Sequence, residues 1–364
     1  MGAMDDLLGP NEVKTLHDAL VGAEPGIDWD ELLDTLTRLE PLSLRGRTDA
    51  VAHALVNALG TYPAAAVAFR AALDDPTFTG WALWPVTEAA VTLALADGGT
   101  PAFDDAVALL AELTPGLTSE FAIRRLLKAD HERALAIIRT WTDHPDEHVR
   151  RLASEGTRPY LPWAVRVPLL LATSGATLPL LDAMHNDESE YVRRSVANHA
   201  NDLARHAPEL VLEAAARWQQ TGTPGSAWVV RRSLRTLVKK GNPGALELMG
   251  FTPAEVSVTE LRAEASILQL PGELGFGFVL TNTGDAPARL SVDYAVHYVK
   301  ANGSTAEKVF KLTTVSLEPG ESRQLNGRHG FRQMTTRRHY AGTHALEVQV
   351  NGVRHGRLEF GLML

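Results

Sequence analysis

A helical solenoid followed by a small β-sandwich is the fold class this sequence predicts, from a recurring motif, a change of hydrophobic period and a change of turn chemistry. The motif is a short acidic or aromatic lead-in, an apolar residue, two arginines and a renewed apolar face. It reads Asp146-Glu147-His148-Val149-Arg150-Arg151-Leu152-Ala153, then Ser189-Glu190-Tyr191-Val192-Arg193-Arg194-Ser195-Val196-Ala197, then Trp228-Val229-Val230-Arg231-Arg232-Ser233-Leu234. The copies lie about 43 and then 38 residues apart, the length of two-helix HEAT-like units. The expectation is therefore an α-solenoid of HEAT-like repeats followed by a small all-β immunoglobulin-like sandwich. Because stacked repeats put equivalent positions side by side, the Arg-Arg pairs are expected to form a basic rail on one concave surface.

Residues 1–251 read as about a dozen helices joined by short turns. Apolar residues recur at three- and four-residue spacings, as in Val51 to Leu59 and Ala106 to Leu113. Thr118-Ser119 reads as a helix start, and Gly60, Gly156 and Gly241 as stops, two of them followed closely by Pro159 and Pro243. Residues 252–364 change character. Val256 to Leu268, Gly275 to Thr281, Leu290 to Val299, Lys308 to Leu317, Ser322 to Leu325 and Ala345 to Val350 are rich in β-branched and aromatic residues. Asn282-Thr283-Gly284-Asp285, Asn302-Gly303, Pro319-Gly320 and Asn351-Gly352 separate them, and Gly or Asn accepts the positive φ that tight hairpins require. Strands at this spacing make a sandwich.

The chain has 364 residues, net charge −9 and no cysteine, which excludes disulfides, thiolate nucleophiles and Cys-ligated zinc. Gly2-Ala3-Met4 reads as a cloning remnant with the natural start at Met4, and neither an export signal nor a membrane span is expected. The expected location is the cytoplasm, as a monomer. The charge is uneven: residues 1–120 carry 5 basic against 19 acidic side chains, residues 121–250 carry 18 against 14, and the remainder 12 against 11. Local field decides steering toward a phosphate backbone, so the middle third can meet a polyanion while the acidic third faces away.

Ser119-Glu120-Phe121-Ala122-Ile123-Arg124, His148 to Gly156, Arg158-Pro159, Leu161-Pro162-Trp163, and Tyr191 to Asn198 with Asn201-Asp202 together resemble the AlkC family, bacterial DNA glycosylases built on HEAT-like repeats and related to the AlkD enzymes. The resemblance covers essentially the whole chain. Its later part, Phe331 to Tyr340, is similar to the immunoglobulin-like appendage of one subgroup. It implies excision of cationic alkylated bases, such as 3-methyladenine and 3-methylcytosine, from duplex DNA without full base flipping. Glu120, Glu155 and Asp202 are the catalytic residues it implies. The acidic N-terminal third, and His199 with Ala200, depart from the simplest form of the pattern.

Such a base already carries a positive charge and leaves readily. Catalytic demand falls on the sugar, whose oxocarbenium character a fixed carboxylate stabilises while it orients or deprotonates water. Ser119-Glu120 and Ser154-Glu155 lie 35 residues apart, about one repeat, and aligning Val149 with Val192 makes Asn198 the equivalent of Glu155, with Asp202 one turn further on. Each carboxylate also has an ordinary reading. Glu120 would sit at a helix N-terminus, Glu155 four residues from Arg151, and Asp202 three from Arg205 and four from His206. Glu155 beside the helix end at Gly156 faces an unfavourable dipole and requires a nearby cation.

The expected DNA contacts are Arg150, Arg151, Arg158, Arg193, Arg194, Arg231, Arg232 and Lys239, with one arginine of each pair bracing the neighbouring repeat and the other meeting phosphate. Asn198 joins them, as do Trp163 and Trp228 as wedges against sugar or base, and Arg332, Arg337 and Arg338 from the second domain. No metal or other cofactor is expected. The competing reading is a non-catalytic HEAT-repeat scaffold that binds DNA or protein, which predicts a groove without converging carboxylates.

Overall fold

The computed structural model describes residues 4–333 and 338–364. It divides into two compact units, Met1–Ser233 and Leu234–Leu364. Among the described residues no single helix is long and apolar enough to cross a membrane.

The first unit is helical. Its helices are α1 (Pro10–Ala23), α2 (Asp30–Asp34), α3 (Leu44–Leu59), α4 (Tyr62–Ala72), α5 (Leu83–Asp97), α6 (Thr100–Leu113) and α7 (Ile123–Ala129). They continue with α8 (His131–Arg139), α9 (Glu147–Glu155), α10 (Pro168–Ala172), α11 (Leu178–Met184), α12 (Glu190–Leu203), α13 (Pro208–Gln220) and α14 (Pro224–Ser233). In one row α3 packs on α5 and α5 on α7, then α9 on α12 and α12 on α14. In the second row α1 packs on α4, α4 on α6 and α6 on α8. The repeat reading holds, and the described part of residues 1–251 has more helices than predicted because α2, α10 and two further helices just before Phe251 have only five or six residues, too few to display a period.

Local chemistry sets the helix ends. Ser43, Thr61, Asp130 and Asp146 cap α3, α4, α8 and α9 by accepting backbone N–H bonds. Gly60 ends α3 at φ +66°, where a side chain would be strained. Gly156 ends α9 for another reason: a Cβ there would lie 2.7 Å from Ile123 Cγ2, so glycine permits α9 to close on α7. Thr118-Ser119 does not start a helix. The chain turns through Glu120 and Phe121 before α7 begins at Ile123, because Ser119 Oγ is spent on the Leu110 carbonyl at 2.8 Å.

The second unit opens with α15 (Arg235–Lys239) and α16 (Pro243–Leu248), and continues as β1 (Val256–Ala263), β2 (Ile267–Gln269), β3 (Gly272–Asn282), β4 (Ala288–Val299), β5 (Thr305–Leu317), β6 (Ser322–Phe331), β7 (Gly342–Val350) and β8 (Val353–Met363). The secondary structure changes after Leu248, yet the compact unit starts at Leu234. Gln349 donates to the Lys239 carbonyl (3.2 Å) and Arg289 to that of Met249 (2.9 Å), while Gly241 and Gly352 meet backbone to backbone. These contacts hold both short helices on the sheet.

The strands form a three-stranded sheet, β1-β3-β6, and a five-stranded sheet, β2-β8-β7-β4-β5. Phe276, Phe278, Leu280, Leu290, Val292, Val296, Leu346, Val348 and Phe360 fill the core between them. β8 is absent from the sequence reading because glycine, arginine and histidine interrupt its apolar positions; pairing with β7 from Val350↔Val353 onward defines it.

Candidate active site

Three positions of the first unit each bring one carboxylate to a common cluster. Glu120 comes from the turn before α7, Glu155 from the end of α9, and Asp202 from the last turn of α12. Their side chains are 11%, 8% and 3% exposed. Buried carboxylates stay ionised only with partners, and two shared arginines supply them. Arg151 bonds Glu120 and lies 3.6 Å from Glu155. Arg158 donates to Glu155 Oε1 at 2.5 Å and through Nε to Asp202 Oδ2 at 3.0 Å. The result is a continuous sequence, Glu120, Arg151, Glu155, Arg158, Asp202. Arg158 is also the cation that offsets the dipole at the end of α9.

Side chains that sequence reasoning passed over complete the cluster. Ser195 Oγ donates to Glu155 Oε2 at 2.6 Å, and Thr118 Oγ1 to Glu120 Oε2 at 2.9 Å. The Tyr191 ring lies 5.2 Å from the Arg151 guanidinium carbon. Burial opposes the charge of Arg158, but Glu155 and Asp202 outweigh it and hold its pKa above the ordinary value. Arg124 is wholly buried beneath, donating from Nε to the Val165 carbonyl (2.6 Å) and from Nη1 to those of Gly156 (2.9 Å) and Arg158 (2.8 Å). It is a positioning residue for the loop that carries Arg158 and Trp163. Burial, then repulsion from Arg166 and Arg158, lowers its pKa to about 10.

Trp163 is 71% exposed and holds φ +61°, an unusual backbone for a bulky residue that costs about 1–3 kcal/mol. Trp228 is half-buried, and Arg232 stacks on it at 4.8 Å.

The arginine pairs divide unequally. Arg150 is a correction to the expected DNA contacts: it is buried, bidentate to Asp187 at 2.8 and 3.0 Å, and donates to the His144 and Pro145 carbonyls. It braces the next repeat. Arg193, at the equivalent position, is likewise turned to the Asp187 and Glu188 carbonyls at 2.5 and 2.9 Å. Arg158 and Arg151 are committed to the carboxylates rather than to the solvent side. Arg194, Arg231 and Arg232 remain exposed, Arg194 pairing with Glu190, and Asn198 is half-buried on α12. Of the paired arginines expected to line a basic rail, Arg194, Arg231 and Arg232 are therefore the exposed ones. In the second unit Lys239, Arg332 and Arg338 are exposed, and Arg337 lies outside the described residues.

Among the described residues one group has ligand atoms close enough for a metal, His297, Glu307 and Glu347 in the second unit, all within 4.8 Å of one another. Arg354 donates to Glu307 at 2.6 Å and lies 3.7 Å from Glu347, so a guanidinium already supplies the positive charge.

His199 is fully buried behind the cluster, with Nδ1 2.9 Å from the Ser154 carbonyl oxygen and Nε2 3.1 Å from Thr177 Oγ1. Burial lowers its pKa from 6.5 to about 3, so the folded protein holds it neutral. Below pH 6.5 the unfolded chain takes up a proton that the folded chain refuses, so this group costs stability as pH falls, ~1.4 kcal/mol per pH unit down to the folded pKa. His199→Gln is expected to lose about 2 kcal/mol less than the parent between pH 7 and 5, measured by urea unfolding. Equal losses would show that His199 does not titrate this way.

Stacked helix pairs converging carboxylates on one arginine-bridged cluster, with a separate β-sandwich, define a helical-repeat protein with fixed buried negative charge. Residues 257–364 match the family described as "Uncharacterised protein YhaZ, C-terminal Ig-like domain". The chain is 37% identical over 263 residues to the "Uncharacterized protein YhaZ" of Bacillus subtilis (strain 168), covering 72% of this chain and 73% of that one. Along its whole length it is similar to the Pseudomonas fluorescens alkylpurine DNA glycosylase AlkC, solved bound to DNA containing an abasic site analog, with 35% identity, a TM-score of 0.86 and complete coverage of both chains. The chain belongs to the AlkC family.

Proposed function

We propose that this protein is a DNA glycosylase that removes cationic N-alkylated bases, 3-methyladenine and 3-methylcytosine, from duplex DNA, acting as a monomer in the cytoplasm. The observation that carries this reading is the sharing of Arg151 and Arg158, which holds three carboxylates in one cluster. A scaffold has no need of such a cluster. The bond from C1′ to the base nitrogen breaks with its electron pair passing to the base, which discharges the base's positive charge. No general acid is required. The sugar is left with oxocarbenium character, which the fixed carboxylates stabilise without reorganising, and water adds to C1′ as its proton passes to a carboxylate. Selection then rests on the lability of a cationic base, so the base need not be fully extruded from the stack.

The test is incubation with methylated duplex DNA, followed by alkaline cleavage at abasic sites and chromatography of the released bases. Release of 3-methyladenine and 3-methylcytosine is expected, with no added metal. DNA binding without base release would turn the reading toward a scaffold.

A further inference from the structure

Among the described residues, one cluster beside the carboxylates joins the turn after α9 to the end of α12 and leaves two arginines exposed. Tyr160, two residues after Arg158, has the guanidinium carbon of Arg166 4.7 Å from its ring centroid and that of Arg205 4.8 Å from it. His206 stacks on the same ring at 5.4 Å, and the Tyr160 hydroxyl hydrogen-bonds to His206 Nε2. Arg166 donates to the Pro159 carbonyl at 3.0 Å and pairs with no carboxylate among the described residues. Arg205 has one distant approach, 3.9 Å to Asp202 Oδ1. Both arginines are exposed. They thus differ from Arg150, Arg151 and Arg158, whose donors are taken up by carboxylates and carbonyls.

Two guanidiniums on one ring repel each other unless an anion sits beside them. The ring attraction offsets part of this and fixes where the cations lie. The loop bearing Tyr160 and Arg166 is also held from below, since Arg124 binds the carbonyls of Gly156, Arg158 and Val165. The platform is therefore organised before any ligand arrives. A cluster of carboxylates meant to face a sugar also repels the phosphates on either side of that sugar, so a productive complex needs cations at its edge. A cationic base is excluded as the ligand here by its sign.

Resting on the glycosylase reading, we propose that Arg166 and Arg205, clamped on Tyr160, bind a backbone phosphate of the DNA strand next to the sugar that the Asp202 cluster serves. Guanidiniums suit this because their planar forks match phosphate oxygens. These two arginines outside the repeated pairs, one on the loop after α9 and one just past α12, then supply part of the grip that buried Arg150 and Arg158 cannot.

The test is fluorescence anisotropy with duplex DNA containing an abasic-site analogue, between 50 and 200 mM salt, for the full chain, the double variant R166Q/R205Q, R166K/R205K and Y160A. Losing one phosphate contact is expected to flatten the slope of log K against log salt by ~0.9 and weaken binding by roughly tenfold or more at the lower salt. The lysine pair keeps the charge and is expected to retain the slope, which separates charge from folding. Y160A is expected to weaken binding with the slope partly kept. Unchanged affinity and slope in R166Q/R205Q, alongside normal binding and base release by the parent, overturn the clamp and leave the glycosylase reading standing. Failure of the parent itself to release a methylated base overturns the reading beneath it instead.

Discussion

Asp202→Asn is expected to cut single-turnover release of 3-methyladenine by ~10²–10⁴-fold, the range for losing a positioned catalytic carboxylate, while binding to abasic-site DNA stays the same or tightens. The substitution keeps side-chain shape and an oxygen that can still accept from Arg158 Nε, now at 3.0 Å from Oδ2. The negative charge is lost, and one acceptor oxygen becomes an NH2 donor. If the carboxylate stabilises the developing sugar cation, the loss falls on the chemical step. Affinity is spared because removing negative charge from beside DNA lessens repulsion. Glu155→Gln is expected to follow the same pattern, with an added stability cost because Ser195 and two arginines converge on Glu155. Release at the parent rate by both variants would remove these carboxylates from the reaction.

Arg158→Met is expected to cost ~3–5 kcal/mol of stability, the typical penalty for breaking a buried ion pair by removing one side of it. Arg158 bridges Glu155 and Asp202, both nearly wholly buried. Combining Arg158→Met with Asp202→Asn is expected to cost less than the sum, since the second change removes a charge that the first strands. Urea unfolding of the parent, the two single variants and the double variant checks both parts. An additive double variant would mean that the pair does not interact as the geometry requires.

The repeat order was legible because a helix packed on neighbours of its own kind must repeat its apolar face, and the Val-Arg-Arg signature falls near the start of α9 and α12 and in the last turn of α14. The β half was legible through its turns more than its strands. Asn351-Gly352 announced a hairpin, yet its second strand, β8, has too broken a pattern to be seen without β7 beside it. Glu120, Glu155 and Asp202 were picked out by resemblance. Their ordinary helix readings also contain truth, since Glu155 does meet Arg151 and Asp202 does approach Arg205. Residues seen only through folding are those whose partners lie 30 to 45 positions away. Arg151 to Glu120 spans 31 residues, Arg150 to Asp187 37, Ser195 to Glu155 40 and Arg158 to Asp202 44.

By itself the sequence determined periodicity, the division of the chain into helical and β parts, and which side chains carry charge, because these follow from local spacing and side-chain chemistry. Tertiary structure alone decided what each arginine does. Identical Arg-Arg pairs become a buried brace at Arg150, a carboxylate bridge at Arg151 and exposed cations at Arg231 and Arg232. A guanidinium's role is set by which acceptors come within about 3 Å of it. That depends on how successive helices stack, which no local pattern in the chain records.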